Sequence, residues 1–315
     1  MRLAVIGVGA VGRAVAEFAD SYGHEVTAIA DSTGATVESA GVDVSAALAH
    51  KDDTGSIGDD DPEDALAADY DVLIEATPTT LGDAQPGFDH VRAALERDRH
   101  AVLANKGPVA ERYGELRALE RDSDGSVRFD AAVGGAIPIL PTIRDVGAAR
   151  VSGVRGVLNG TANFVLSRMA AEGLAYDHVL AEAQDLGVAE ADPSFDVEGT
   201  DAALKCVILA NVLANGEREF TLSDATVEGI RDLPGSALEL AAEDGRTVRL
   251  IGEATREGVR VGPRLVPEHG PLAVAGTLNV AQIDAEHAGR LSLSGRGAGG
   301  PETATAVLAD VGRLG

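Results

Sequence analysis

The amino-acid sequence predicts an α/β protein in which a doubly wound parallel sheet is joined to a second domain of α+β type. Three observations support this prediction. Short apolar strands alternate with amphipathic helices over residues 2–104, a pattern typical of parallel sheets with helical crossovers. A glycine-rich turn directly follows the first strand. After Asp130 the alternation ends, and a glycine- and proline-rich segment leads into helices and longer strands.

The first region contains four predicted strands, each a short apolar run, with helical periodicity between them. We place the strands at residues 2–6, 25–30, 71–76 and 100–104, and helices at residues 13–21 and 88–97. Crossovers in such a sheet are right-handed, and ligands bind beyond the carboxyl ends of the strands. We therefore expect functional residues just after these strands.

The second region begins with residues 131–141, which we interpret as a hinge or a substrate-facing loop. Helices are predicted at residues 142–149, 162–172, 176–186, 200–214 and 302–311, and strands at residues 154–158, 247–254 and 258–266. We expect residues 1–130, completed by residues 290–315, to form one domain and residues 131–289 to form the other.

Composition and charge exclude several classes of protein. The net charge of −25 would repel the phosphates of a nucleic acid. The apolar runs are far shorter than the roughly 20 residues that cross a bilayer, and the N-terminal apolar run ends at a glycine turn, so we read it as a buried strand rather than a signal peptide. We therefore expect a cytoplasmic protein without a nucleic-acid or membrane partner.

The basic residues and the single cysteine are also informative. Only three of the 26 basic residues are lysines, Lys51, Lys106 and Lys205, and this acidic, lysine-poor composition predicts an organism that lives in strong salt. Cys206 lies in an apolar helical run and is interpreted as a small buried hydrophobe. Scattered histidines make a zinc site unexpected.

The turn after the first strand has the spacing of a dinucleotide-binding loop, which favours a Rossmann-type sheet. The first glycine permits the tight turn, the second lets the backbone approach the pyrophosphate, and the third lets helix and strand pack closely. Asp31 follows the next strand and could accept the adenosine ribose hydroxyls, whereas Lys51 could reach a 2′-phosphate, so NAD and NADP both stay open. The predicted cofactor-binding residues here are Gly7, Gly9, Ala10, Val11, Gly12 and Asp31.

Two further strand ends carry candidate residues. Asn105 and Lys106 follow the strand at residues 100–104, at the edge where such sheets bind ligands. Thr77 and Pro78 follow the strand at residues 71–76 and are expected to line the nicotinamide pocket.

Acidic residues and a lysine cluster in the segment before and within the predicted helix 200–214. Asp201 and Lys205 are four residues apart and share a helix face. Because apolar residues surround this pair, we expect it to be buried, and the Asp201 carboxylate would then hold Lys205 charged and oriented. With Glu190 and Asp196 upstream, such carboxylates and lysines suit a zwitterionic amino-acid substrate.

These motifs together resemble those of the homoserine dehydrogenase family, over essentially the whole chain. The resemblance runs through the glycine loop and through residues 75–79, 105–106, 135–140, 158–164, 192–205 and 295–299. The Asn-Gly-Thr segment at residues 159–161 and the Gly-x-Asp-x-x-x-Lys segment at residues 199–205 are specific to this family. The resemblance implies an enzyme that interconverts L-homoserine and L-aspartate 4-semialdehyde with NAD(P), a step of threonine and methionine biosynthesis.

The resemblance also implies roles for individual residues. Lys205 would be the catalytic lysine, Lys106 a second candidate for proton transfer, and Asp201 the residue that orients Lys205. Homoserine would be bound by Gly160, Thr161, Glu190 and Asp196, and Gly297 would join the cofactor site. A structural sodium ion would be held by Asp130 and by the backbone carbonyls of Val133, Gly135 and Ile137; the family often has glutamate where Asp130 stands.

Further expectations concern domains and assembly. Residues 1–130 would bind the dinucleotide, and residues 131–289 would bind substrate and form a homodimer or homotetramer. The sequence ends after its last predicted helix, so we expect no C-terminal ACT-type regulatory domain and no threonine feedback through one. Two alternatives stay open: a related amino-acid or oxo-acid dehydrogenase, and a non-catalytic protein that senses NAD.

Overall fold

The computed structural model describes residues 1–314 and divides into two compact units. Unit 1 comprises Met1–Ala136 and the segment from Ala298 onward, and unit 2 comprises Ile137–Gly297. From the sequence alone, the boundaries are predicted at residues 130/131 and 289/290. The shift has a structural reason: a short helix at Asp130–Gly134 packs against the last helix of unit 1, and a strand at Gly289–Arg296 belongs to the sheet of unit 2.

Unit 1 is built on a six-stranded sheet in the order β3-β2-β1-β4-β5-β6. All neighbouring strands are parallel except β3, which runs antiparallel to β2. The order reverses between β1 and β4, the position at which sheets of this kind bind ligands. The strands are β1 Arg2–Ile6, β2 Glu25–Ala30, β3 Ala35–Val37, β4 Val72–Glu75, β5 His100–Leu103 and β6 Val127–Arg128.

Helices cover both faces of this sheet. They are α1 Ala10–Phe18, α2 Val44–Thr54, α3 Pro62–Ala67, α4 Gly87–Leu95, α5 Gly107–Glu111, α6 Tyr113–Arg121, α7 Asp130–Gly134 and, at the end of the chain, α14 Gly300–Gly312. Successive strand residues point to opposite faces, so Leu3 and Val5 pack into one apolar cluster and Ala4 and Ile6 into another. Burial of these strands on both faces explains their continuous apolar runs.

Unit 2 contains a second six-stranded sheet in the order β12-β11-β7-β9-β10-β8. Its pairings are antiparallel except that of β8 with β10. The strands are β7 Val151–Val157, β8 Ala225–Val227, β9 Arg246–Thr255, β10 Val259–Pro267, β11 Leu278–Ala285 and β12 Gly289–Arg296. The α+β character predicted for this region is therefore present.

The helices of unit 2 are α8 Ile139–Val146, α9 Gly160–Glu172, α10 Tyr176–Asp185, α11 Ser194–Val197, α12 Thr200–Ala214 and α13 Gly235–Glu243. Helix α12 packs against β9 and β10 and is buried almost throughout. Cys206 within it is fully buried, and burial raises the pKa of its thiol to about 12, which fits the expected role as a core residue.

The structure adds elements that the hydrophobic pattern did not predict, including β12. Its exposed and half-buried residues alternate, because β12 lies at the edge of the sheet and pairs only with β11 among residues 1–314. An edge strand with little buried surface has a weak apolar signal. Among the helices of the described residues, none combines the length and apolarity needed to span a membrane.

Candidate active site

The glycine loop between β1 and α1 is shaped by two close backbone contacts. Gly7 has φ +97°, and a Cβ atom on it would lie 2.6 Å from the Ala76 carbonyl and the Thr77 nitrogen. A Cβ atom on Gly12 would lie 1.8 Å from the Gly7 carbonyl oxygen. Gly9, by contrast, is exposed and has open space where a Cβ would be. The loop thus leaves room above exposed backbone at the N-terminus of α1, the arrangement that receives a pyrophosphate.

Asp31 follows β2 and is held by a network of donors. Its Oδ1 atom accepts hydrogen bonds from the backbone nitrogens of Thr33 (2.8 Å) and Gly34 (3.0 Å) and from the Thr33 hydroxyl (2.6 Å). Its Oδ2 atom forms an ion pair with Lys51 of α2. Burial would raise the pKa of Asp31, but the bonds from Lys51 and Thr33 outweigh it and leave the pKa below the ordinary value of 3.8.

Residues at the ends of β4 and β5 are joined by a buried carboxylate. Glu75, the last residue of β4, is fully buried, and its Oε1 atom accepts hydrogen bonds from the Thr77 nitrogen (3.0 Å), the Thr77 hydroxyl and Asn105 Nδ2 (3.3 Å). Asn105 Nδ2 also donates to the Pro78 carbonyl at 3.3 Å. The structure therefore brings three predicted cofactor residues, Thr77, Pro78 and Asn105, into one network.

Lys106 directly follows this network and stands immediately before α5. Its backbone nitrogen donates to the Thr79 hydroxyl at 3.3 Å. Lys106 is partly buried, and its backbone carbonyl accepts hydrogen bonds from the backbone nitrogens of Val109 and Ala110. Lys106 therefore lies shortly after the end of β5, as predicted, at the edge of the sheet where ligands are expected.

In unit 2, a chain of hydrogen bonds links two acids, an asparagine and the buried lysine. Lys205 Nζ donates to Asp201 Oδ2 (2.7 Å) and to the Leu158 carbonyl (2.7 Å). Asn159 Nδ2 donates both to Asp201 Oδ2 (2.9 Å) and to Asp196 Oδ1 (2.6 Å). Asp201 and Lys205 are 7% and 5% exposed, so the pair is held in place in a setting with little water, as the helical spacing predicted.

The other predicted substrate-binding residues are Gly160, Thr161 and Glu190. Gly160 and Thr161 start α9, and Thr161 donates its hydroxyl to the Val188 carbonyl at 3.2 Å. Glu190 is exposed, and its backbone carbonyl accepts a hydrogen bond from Gln184 Nε2 at 3.1 Å. The structure thus joins Asp196, Asp201 and Lys205 through side chains but does not bring the Glu190 side chain into that chain of bonds.

The segment predicted to hold sodium is buried in the structure. Asp130 is 2% exposed, and its backbone nitrogen donates to Asp310 of α14 at 2.9 Å. Val133, Gly135 and Ile137 are buried as well. Within residues 1–314, no group of three or more His, Cys, Asp or Glu side chains is arranged to hold a metal. Gly297, predicted to touch cofactor, falls in unit 2, where a Cβ would lie 1.9 Å from Asn279 Nδ2.

Two residues in these networks were not among the predicted site residues: His90, and Asn159, which the sequence singled out only as part of the Asn-Gly-Thr segment. Asn159 caps α9, since its Oδ1 atom accepts a hydrogen bond from the Ala162 nitrogen at 2.8 Å. An asparagine three residues before the first residue of the predicted helix is a capping signal that could have identified it. His90 of α4 contacts Glu75 Oε2 through Nδ1 at 2.7 Å. No local pattern could have found His90, because its partner is 15 residues away on another element.

Comparisons with known protein families place these arrangements in context. The homoserine dehydrogenase family model matches residues 138–311. A second model, of glutamate/leucine/phenylalanine/valine dehydrogenases, matches residues 1–77, the stretch that contains the glycine loop.

Individual relatives cover three quarters of the chain or more. Homoserine dehydrogenase of Methanocaldococcus jannaschii is 38% identical over 99% of this chain and 97% of its own length. The NAD(+)-dependent homoserine dehydrogenase of Pseudomonas canavaninivorans is 39% identical over 76% of this chain and 70% of its own.

Solved structures of homoserine dehydrogenases are also similar to this chain. A putative homoserine dehydrogenase from Archaeoglobus fulgidus has a TM-score of 0.92 and 40% identity, covering 100% of this chain and 99% of its own. A hyperthermophilic archaeal homoserine dehydrogenase in complex with NADPH has a TM-score of 0.84 and 27% identity, covering 99% and 97%.

Proposed function

The chain belongs to the homoserine dehydrogenase family, and we infer from this membership that it catalyses the NAD(P)-dependent interconversion of L-homoserine and L-aspartate 4-semialdehyde. This oxidoreductase step belongs to threonine and methionine biosynthesis. Within the chain, the observation that best supports the reaction is the buried Lys205 ammonium, held by Asp201 and by the Leu158 carbonyl. A fixed, desolvated cation of this kind suits a substrate oxygen that gains negative charge.

The glycine loop fits a dinucleotide. The clear space above Gly9 and the backbone nitrogens at the start of α1 suit a pyrophosphate, and Thr77, Pro78 and Asn105 would hold the nicotinamide. When bound, the nicotinamide ring supplies or accepts the hydride at its C4 atom. Relatives named for NAD(+) and for a complex with NADPH support NAD(P) as the cofactor.

The chain's own groups would handle charge and proton. In the reducing direction, the hydride adds to the aldehyde carbon, and the carbonyl electron pair moves to the oxygen. We propose that the Lys205 ammonium stabilises this oxygen and gives it a proton, which forms the homoserine hydroxyl. Asp201 would keep Lys205 charged and aimed at the substrate. Lys106 is the second candidate for this proton transfer.

We propose that homoserine's own groups are held by Gly160, Thr161, Glu190 and Asp196. Asp196 is fixed by Asn159, so it offers an anchored carboxylate, while the exposed Glu190 carboxylate is available for an ammonium group. Carboxylates of this kind form charge-assisted hydrogen bonds with an amino group. Amino-acid substrates would thus be favoured over substrates that lack an ammonium group.

The Asp31–Lys51 ion pair bears on the choice between the two cofactors. We propose that both are accepted: Asp31 would face the ribose hydroxyls of NAD, and Lys51 would turn to a 2′-phosphate in NADP. The position of Lys51 beside Asp31, with 23% of its side chain exposed, supports a lysine that can exchange one anionic partner for another.

Four further properties remain proposals that follow from the resemblance and the composition. They are a sodium ion at Asp130, Val133, Gly135 and Ile137, a dimer or tetramer, a cytoplasmic location and a salt-loving source. Backbone carbonyls are among the oxygen donors that hard cations take, which fits the sodium proposal.

The assay is homoserine oxidation in high salt, followed by nicotinamide absorbance with NAD and with NADP separately. We expect turnover that requires homoserine and falls away when a simple 2-hydroxy acid replaces it. Preference for another amino acid or oxo-acid would point to a related dehydrogenase. Tight NAD binding without turnover of any substrate would point to a cofactor-sensing protein.

A further inference from the structure

A hydrogen bond outside the predicted site connects helix α4 to the residues proposed to hold the nicotinamide. Glu75 is fully buried, and its partner on α4 is His90, whose side chain is 16% exposed. The distance between His90 Nδ1 and Glu75 Oε2 is 2.7 Å. A carboxyl group this deep in a protein is costly unless it is hydrogen-bonded, and the contact with His90 satisfies Oε2.

The two carboxylate oxygens have separate tasks. Oε2 faces His90, while Oε1 accepts hydrogen bonds from Thr77 and Asn105. Because the Thr77 nitrogen and the Asn105 amide nitrogen can only donate, Oε1 is the acceptor in both bonds; with Oε2 accepting as well, His90 donates from Nδ1. Rotation of the Glu75 carboxylate would break bonds on both oxygens at once, so His90 fixes the orientation that Thr77 and Asn105 depend on.

Asn105 transmits this orientation to the end of β5. Its Nδ2 atom donates to the Thr77 hydroxyl (3.1 Å) and the Pro78 carbonyl (3.3 Å), and its Oδ1 atom accepts the Gly107 nitrogen at the start of α5 (2.9 Å). The same amide therefore fixes the loops after two neighbouring strands. These loops flank Lys106, one of the two proton-transfer candidates.

The start of α4 is shaped to permit this contact. A Cβ atom on Gly87, its first residue, would lie 2.6 Å from Asn105 Nδ2 and 3.3 Å from Glu75 Oε1. A larger residue there would hold the helix away from the carboxylate. Gly87 thus lets α4 approach closely enough for His90, one turn later, to reach Glu75.

We propose that His90 is a positioning residue for the cofactor: through Glu75 it holds Thr77 and Asn105 in the orientation that receives the nicotinamide. This rests on the proposed function only in that these two residues contact the nicotinamide. His90 itself touches neither cofactor nor substrate in this proposal. Its loss should therefore weaken cofactor binding before any chemistry takes place.

The test measures NADH affinity of the substrate-free protein by nicotinamide fluorescence, which is convenient because the chain contains no tryptophan. His90→Leu removes the donor and should raise the Kd for NADH about tenfold, equivalent to about 1.4 kcal/mol. His90→Asn places an amide nitrogen near the position of Nδ1 and should restore the Kd to within about threefold of the wild type. His178→Leu, on the exposed side of α10, is the matched control and should leave the Kd unchanged.

His90→Leu with wild-type affinity for NADH would overturn the proposal. Should that variant fail to fold, His90→Gln replaces it, since its amide reaches the position of Nε2 rather than Nδ1. Equal affinity of the His90→Gln and His90→Asn variants would then overturn it. In steady state, the KM for cofactor should rise more than the KM for homoserine, whereas a general loss of stability would change both alike.

The proposed function and this inference can fail separately. A wild-type protein that binds NADH but does not oxidise homoserine, with the variants still ranked as expected, would contradict the function alone. A wild-type protein that oxidises homoserine, with His90→Leu binding NADH normally, would contradict the positioning role alone.

Discussion

Single side chains in this protein carry charge in places where water is scarce, and Lys205 is the clearest case. Its ammonium group is 5% exposed and is held by two oxygen acceptors. The Asp201 carboxylate and the Leu158 carbonyl accept hydrogen bonds that the ammonium group cannot make to water in this buried position. The pair is thus suited to hold a proton near a reacting oxygen, although a buried ion pair alone is weak evidence for stability.

Replacement of Lys205 by alanine should lower kcat by at least about a hundredfold, because general acid–base catalysis contributes roughly 10²–10⁴ in rate. The KM for homoserine should change by less than about threefold. Steady-state kinetics with a folded variant, checked by circular dichroism, measure this. Lys205→Arg, which keeps the charge, is the matched control and should retain more kcat than the alanine variant. An unchanged kcat in Lys205→Ala would remove this residue from the mechanism.

Lys51 should discriminate between the two cofactors. We expect Lys51→Ala to raise the Kd for NADP about tenfold, since a charge-assisted hydrogen bond to phosphate contributes roughly 1.5–3 kcal/mol. The Kd for NAD should change by less than about threefold. Lys51→Arg is the control that keeps the charge. Equal weakening of both cofactors, measured by titration calorimetry, would contradict a role of Lys51 at the 2′-phosphate.

Asp31 should make stability depend on pH in a defined direction. Its folded-state pKa lies below the ordinary 3.8, so the carboxylate stabilises the fold above that value, and the contribution is lost as the pH falls further through the folded-state pKa. The difference in unfolding free energy between wild type and Asp31→Asn should therefore be constant from pH 5 to 7 and shrink below about pH 4. Urea unfolding across this range measures it, and a difference that grew on acidification would contradict the sign.

Among the elements, helix α1 begins earlier than its apolar periodicity predicted, because contacts with the glycine loop set its first turn. The apolar periodicity predicted a helix from residue 13, but α1 begins at Ala10. The backbone of its first turn lies against the glycine loop, where Gly12 approaches the Gly7 carbonyl too closely for any side chain. In the sequence, Gly9 and Gly12 indicate a loop, and they hid the helical first turn to which Ala10 and Val11 belong.

Two alanine substitutions in the glycine loop should have opposite consequences. In Gly12→Ala, the new methyl group would meet the Gly7 carbonyl at 1.8 Å, so α1 must shift from β1, and we expect a loss of about 2–3 kcal/mol in unfolding free energy. In Gly9→Ala, the methyl group enters open space, so stability should stay nearly unchanged while dinucleotide affinity falls at least tenfold. Chemical unfolding and NADH titration of both variants measure this. Gly9→Ala with normal NADH affinity would argue against a pyrophosphate above this loop.

For the molecule as a whole, the dominant physical fact is a net charge of −25. Like charges at this density repel one another in the folded state more than in an expanded chain, and salt screens that repulsion. The exposed ion pairs, such as Arg13 with Asp52, are screened as well, but each contributes little.

We expect the melting temperature at pH 7 to rise by about 5 °C between 0.1 M and 2 M KCl, which corresponds to roughly 1–2 kcal/mol. Near pH 4.5, where the net charge is close to zero, the same salt should raise it much less. Differential scanning calorimetry at the two pH values tests this. A melting temperature that fell with KCl at pH 7 would contradict self-repulsion as the main effect and would weigh against a salt-loving source.

The family and its reaction could be read from local patterns, because each pattern reflects chemistry confined to a short segment. The spacing of Gly7, Gly9 and Gly12 follows from one turn, and that of Asp201 and Lys205 from one turn of helix. Strand and helix types followed from apolar periodicity wherever an element is well buried, as in β1 and α12.

Only the tertiary structure decided which residues that are distant in the chain form hydrogen bonds with one another. Asn159 meets Asp196 and Asp201 across 37 and 42 residues, and His90 meets Glu75 from another element. The edge strand β12 and the unit boundaries at residues 136/137 and 297/298 were likewise decided only by the tertiary structure. Such features depend on which surfaces pack together, and packing is a property of the folded chain as a whole, which no window of neighbouring residues records.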